Sequence, residues 1–294
     1  MKEKVEFRKL REFGDLIGDT FLFIKQNFKP LMKSFFSLTG IFIVGGMLSS
    51  ILAQVQMVNI SQAAGSTYDD SPRSMLYNVG FNYFLVIIFM ILSYTSMYVS
   101  ILSYVALYIE KGKVAPTVSE VWAYFKYYFF RMMGSGILIS IFITICFVLC
   151  LLPGIYVFPA VSLFAPIMIL ENGSFSHSFD RSFKLLKNEW WITAAVLLVI
   201  YVIFYAFSTI VQLPAIIIMM IGAFTQGEKT ITNAYAVISA VSQHISYLFM
   251  IIPIICSTLI YCNLVERKEN FGLFQRMGEL GQESEQDNSI QEEY

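Results

Sequence analysis

The chain reads as an all-α polytopic membrane protein with six transmembrane helices and three amphipathic helices lying on the cytoplasmic side. Two observations predict it. The first is composition: 56% of the 294 residues are hydrophobic and only 14% are charged, against about a quarter charged in soluble domains. The second is where the charges fall. Lys33 to Asp69, Arg73 to Glu110, Arg131 to Glu171, Glu189 to Glu228 and Lys229 to Glu266 bound charge-free runs of 35, 36, 39, 38 and 36 residues. A hydrocarbon core about 30 Å thick needs about 20 helical residues to cross it, so each run is long enough. A soluble helix would carry a polar stripe every three or four residues, and these runs carry none.

The third run is counted as two crossings. Its 39 residues would make a single helix of nearly 60 Å at about 1.5 Å per residue. Pro153-Gly154 lies near its middle and fits a tight hairpin between helices at 133–152 and 155–170. With six crossings, 18 of the 20 Lys and Arg fall on one side, leaving only Arg73 and Lys229 on the other. With five, the split falls to 13 against 7. Cationic loops stay in the cytoplasm, so both termini are expected there, with the chain a multi-pass protein of the cell membrane. No signal peptide is expected, because helix 1 follows a basic segment about thirty residues long and serves as an uncleaved insertion signal.

Residues 1–30 are expected to form an amphipathic cytoplasmic helix, with Leu10, Phe13, Ile17, Phe21, Ile24 and Phe28 as its apolar face. Pro30 suits a break or kink into helix 1, at 32–57. Helix 2 is read at 80–109. In the following loop, seven of the nine residues from Trp122 to Phe130 are aromatic, which predicts a second interfacial helix at headgroup level. Ser174 is suited to cap a third, at 175–188. Helices 5 and 6 follow at 191–221 and 234–263. The membrane domain thus covers 31–264, and an acidic tail covers 265–294. The layout suggests a weak threefold repeat of one interfacial helix and two spans.

Part of this pattern resembles a known group. Leu152-Pro153-Gly154-Ile155-Tyr156, Pro166, and the run from Glu171 through Ser174, Arg181 and Ser182 to Leu185 and Trp190 are similar to a broad set of bacterial six-helix membrane proteins. That set includes the membrane domain attached to some glycerophosphodiester phosphodiesterases. Tyr261 to Arg267 resembles the closing element of the same group. The family usually has Ala where Ser178 stands here. Too few residues follow Glu266 for a phosphodiesterase domain, so the resemblance implies a fold more than an activity.

Functional candidates are few. Glu171 and Arg181, with Ser174 and Ser182, form a possible ion-paired pin under the bundle. Alternatively they form a headgroup contact, since the planar guanidinium fork suits phosphate. Glu171 is expected either to accept backbone N–H groups of the next helix or to pair with Arg181. Gln54, Gln212, Gln243 and His244 are the most polar intramembrane residues. They either line an outward-facing cavity or hydrogen-bond between helices. No span contains Asp, Glu, Lys or Arg, which argues against an ion-coupled pump. The chain has two His and neither HExxH, GxSxG nor a P-loop. The four Cys look like small apolar residues. No catalytic group, metal or cofactor is expected, and a net charge of −1 suggests no nucleic-acid partner. The expected partners are the bilayer, anionic lipid headgroups or another membrane protein. The leading reading is a non-catalytic scaffold, the alternative a permease for a small or lipidic solute.

Overall fold

The computed structural model describes residues 4–63, 72–149, 151–224 and 229–269, and every structural statement below concerns these. The acidic tail beyond Glu269, Cys150 and most of the first outer loop lie outside them. The elements are α1 (Phe13–Ala63), α2 (Pro72–Glu110), α3 (Val118–Leu149), α4 (Leu151–Leu170), α5 (Phe175–Leu186), α6 (Trp190–Phe224), α7 (Lys229–Ser246), a 3-10 turn (Tyr247–Met250) and α8 (Ile251–Glu269). Six segments are long and apolar enough to cross a membrane, the sixth being α7 and α8 together. The chain is an all-α polytopic membrane protein.

The last span is the mast of the bundle. Its most apolar stretch is 83% buried, against 17 to 61% for the other five, and Ile251 through Leu264 are buried without a gap. The outer helices leave large side chains such as Ile41, Leu152, Val202 and Phe224 facing outward, as lipid-facing surfaces do. The expected helix 6 is divided into α7 and α8 with the 3-10 turn between them. Pro253 has no N–H to give to the carbonyl four residues earlier, and the backbone before it tightens to the shorter 3-10 pattern.

Two of the three expected interfacial helices are not separate elements. α1 runs unbroken through Pro30, although an interior proline costs about 3 kcal/mol. The turns on either side are anchored: Phe23, Leu31 and Phe35 are at most 1% exposed. The Asn27 side chain donates to the Phe23 carbonyl at 3.2 Å. The face turned inward is Leu16, Thr20, Phe23, Asn27 and Leu31. Of the apolar face read from the sequence, Leu10, Phe13 and Phe28 are exposed, whereas Ile17, Phe21 and Ile24 are half-buried against the core. In lipid an apolar face gains nothing by pointing inward, whereas small polar residues satisfied within their own helix pack closely against a neighbour. α3 likewise carries the aromatic run as its first three turns. It starts at a capping box in which Glu120 accepts from the Thr117 N–H at 2.8 Å. With these two fused to their spans, the threefold repeat loses its interfacial units.

Residues 5–11, expected to be helical, form a strap under the bundle. Val5, Phe7 and Arg11 are at most 4% exposed. The Phe7 ring meets Phe23 edge-on at 5.0 Å, and the Tyr108 hydroxyl donates to the Val5 carbonyl. Arg11 donates to the carbonyls of Phe7 and Glu6, and pairs with Asp19 at 2.8 Å. Its N–H donates to Asn263 Oδ1 at 2.8 Å, and Arg267 donates to its carbonyl.

The α3–α4 hairpin is where the sequence puts it, but α4 begins at Leu151 and takes Pro153 into its first turn, where a missing N–H costs nothing. Gly154 lies against the Phe147 ring, which a Cβ would overlap. On α1, Gly45 lies in the same way against Phe89 of α2, while Gly40 faces open space.

That difference makes a paired test. Gly45→Leu should destabilise the protein by about 1–3 kcal/mol through overpacking, and Gly40→Ala should be neutral or gain up to about 1 kcal/mol. Denaturation of both variants in mixed micelles measures it.

Candidate functional site

One end of the bundle collects the charges. There α2, α4 and α8 finish and α3, α5 and α6 begin, and Arg131, Arg181, Arg267 and Lys268 all bond to neighbouring elements. At the centre of this basic end is Glu171, the residue after α4. Its Oε1 accepts from Arg181 Nε at 3.0 Å and from the Tyr261 hydroxyl at 2.9 Å. Its Oε2 lies 2.7 Å from His177 Nε2. Of the two arrangements the sequence left open, the carboxylate has therefore taken the fold-back pairing. The helix N-terminus is served by Ser174, whose hydroxyl accepts from the His177 N–H at 3.3 Å.

The local geometry follows from the turn. Asn172 has φ +49°, a left-handed conformation that Asn tolerates better than most side chains. Arg131 holds the turn from α3, donating to Asn172 Oδ1 at 2.8 Å and to the Gly173 carbonyl. Gly173 packs against the His177 ring and Ser178, leaving little room for a Cβ. Ser178 and Ser182 are buried on α5, and Ser182 donates to the Phe179 carbonyl at 2.7 Å. Ser174 and Ser182 are thus structural parts of α5, one a cap and the other a small packing residue.

Arg181 bridges two carboxylates. Beyond Glu171 it reaches Glu269 at the end of α8, with Nη1 at 2.6 Å and Nη2 at 2.9 Å. The fork that would suit a phosphate is closed on Glu269. Hydrogen bonding to Glu269, opposed by partial burial and helped by Glu171, raises the guanidinium pKa. For Glu171, burial pushes the carboxyl up. Hydrogen bonds from His177, Arg181 and Tyr261 outweigh it, and the group titrates below its ordinary range.

Glu171, Arg181, Tyr261 and Glu269 wall a cavity of about 590 Å³, together with Glu110, Tyr124 and Tyr128. Glu110 ends α2 and accepts from the Tyr124 hydroxyl at 2.7 Å. A second, mostly apolar crevice of about 420 Å³ lies between α2, α3 and α4. Both volumes fall in the range of about 300–1,000 Å³ common for small-ligand sites.

The intramembrane polar residues do not converge in one place. The Ser239 hydroxyl donates to Gln54 Oε1 at 2.7 Å, linking α7 to α1. His244 is buried against Gly46, with Nδ1 2.8 Å from the Ala240 carbonyl. Gln243 faces outward and Gln212 is half-buried on α6. Cys146, Cys256 and Cys262 are free thiols. Sequence reasoning singled out Glu171 and Arg181 but missed Tyr261, Glu269 and His177 as their partners and Arg131 as the brace of the adjoining turn. Of these, only Tyr261 carried a signal, through the closing element it belongs to.

Fold and site define a six-span helical membrane protein with an ion-paired, cavity-bearing basic end. Comparison with family models, with curated proteins and with solved structures finds no match to this chain.

Glu171→Gln should lower stability at neutral pH by about 2 kcal/mol, the scale of hydrogen bonds to a charged group. The folded-state pKa lies below the ordinary value, so this contribution is present above that value. It is lost as pH falls through the lowered folded pKa. Thermal unfolding in detergent should therefore show a gap between wild type and Glu171→Gln at neutral pH that closes under acid conditions.

Proposed function

We propose that this protein is a non-catalytic membrane scaffold that binds lipid headgroups at its basic end, with that end and both termini in the cytoplasm. The observation that carries the reading is the cavity of about 590 Å³ at that end, where polar side chains and apolar helix walls meet. Two features support it. Lys9, Lys25, Lys29 and Lys33 are exposed along the start of α1 and the strap, and exposed cations at a cytoplasmic interface attract anionic leaflets by about 1 kcal/mol each. The charged groups Glu171, Arg181 and Glu269 are engaged with one another, which suits a pinned platform better than a proton-transfer centre. The bacterial inner membrane is the setting this reading favours, and the six-helix group that includes phosphodiesterase membrane domains is the proposed kinship.

A second reading keeps support from one feature. The apolar crevice between α2, α3 and α4 would suit a lateral path for a lipidic solute, as in a permease.

The two separate in one experiment. Delipidated protein in detergent should gain several degrees in Tm when polar lipids are added back, and liposomes containing it should show no lipid or solute flux above empty controls. No stabilisation by any lipid sinks the scaffold reading, and protein-dependent flux favours the permease.

A further inference from the structure

The cavity at the basic end and the apolar crevice share the same three helices. Tyr128 on α3 lines the cavity and Met132, one turn on, lines the crevice. On α4 the corresponding residues are Ile169 and Ala165, again one turn apart. On α2 they are Ala106 and Tyr98, about two turns apart. A polar chamber and an apolar slot are therefore aligned along one three-helix seam, head to tail. That is the layout of a site for an amphiphile.

The charges in the chamber select the head. Its carboxylates are Glu110, Glu171 and Glu269 and its cations are Arg8 and Arg181. Glu171 and Glu269 are both taken by Arg181, whereas Glu110 accepts from a neutral phenol, Tyr124. Glu110 is also the last residue of α2, and α4 ends at Leu170, another residue of the chamber wall. Two helix C-termini, each carrying a fraction of negative charge, are thus directed at the chamber. Tyr124 and Tyr128 stand with ring centroids 6.1 Å apart and tilted by 47°, and such aromatic walls beside a carboxylate attract an ammonium group.

We propose that chamber and crevice form one site for a lipid whose headgroup carries an ammonium group. The ammonium sits on Glu110 beside Tyr124 and Tyr128, and one acyl chain lies in the crevice between α2, α3 and α4. This rests on the lipid-binding reading above and names its ligand class. The crevice wall offers a clean block. Gly136 lines it, and a Cβ built there meets nothing within 4 Å, so Gly136→Leu adds its bulk at a point of the wall with room for a side chain to start.

The test uses the full chain, delipidated in a nonionic detergent, with lipid retention read by native mass spectrometry and Tm by thermal unfolding. The probes are an ethanolamine phospholipid and a glycerol-headgroup phospholipid with identical chains, a single-chain alkylammonium, and chain-free phosphoethanolamine. The ethanolamine lipid should be retained more strongly and raise Tm further than the glycerol lipid. Glu110→Gln should abolish that preference, Gly136→Leu should weaken retention of both lipids, and phosphoethanolamine without chains should do nothing. Equal retention of the two lipids by wild type, or a preference that survives Glu110→Gln, overturns the ammonium seat while leaving lipid binding intact. Strong retention of the alkylammonium without an ethanolamine preference also overturns it, assigning the site to a free amphiphile. Retention of neither lipid removes the lipid-binding reading itself.

Discussion

Most of the ionised groups, which cannot enter hydrocarbon, are gathered at one end of this bundle and many are tied to each other there, and the rest of the architecture depends on that segregation. The cost of an unpaired charge in lipid is several kcal/mol, so the long apolar runs within the helices carry none. At the basic end Glu171 joins the α4–α5 turn to α5 through Arg181 and to α8 through Tyr261. Arg181 continues to Glu269. Arg267 and Lys268 then bond to the strap and to the end of α5. Each link is modest, since such groups are partly solvated, but together they fix where α8 sits. α8 in turn is the helix around which the others pack.

The helices themselves were legible because their signal is one-dimensional. A run of 35 or more residues without charge has few alternatives, and the Pro153-Gly154 hairpin divides the third run within a few residues of where α3 ends. Helix breaks were less legible because proline was weighed without its surroundings. Pro30 is overridden by the buried turns of Phe23 and Phe35 on either side, whereas Pro253 has its effect, in a 3-10 turn just upstream. Which face of α1 packs inward was not legible for a deeper reason. Periodicity identifies an apolar stripe, but in a bilayer it does not say whether that stripe meets protein or lipid. Thr20 and Asn27, which look like solvent residues in a soluble helix, are the ones that pack.

In the site, the Glu171–Arg181 pair was readable from ten residues of local spacing. Its extensions to Tyr261 and Glu269 are separated by about ninety residues and exist only through the packing of α8 against α4 and α5. The same holds for the strap, whose anchor Arg11 bonds to Asn263 across the whole chain. The intramembrane glutamines and His244, grouped by depth alone, sit on different faces. Similar depth in the bilayer does not bring side chains together.

Threading is the claim on which all of this stands, and single-cysteine accessibility in intact cells addresses it most directly. Lys126→Cys on α3 and Lys184→Cys on α5, in a chain whose native cysteines are replaced, should resist an impermeant thiol reagent applied from outside. Both should react once inside-out vesicles expose the other face. Labelling of either position from the exterior would place the basic end on the wrong side of the membrane and contradict the account.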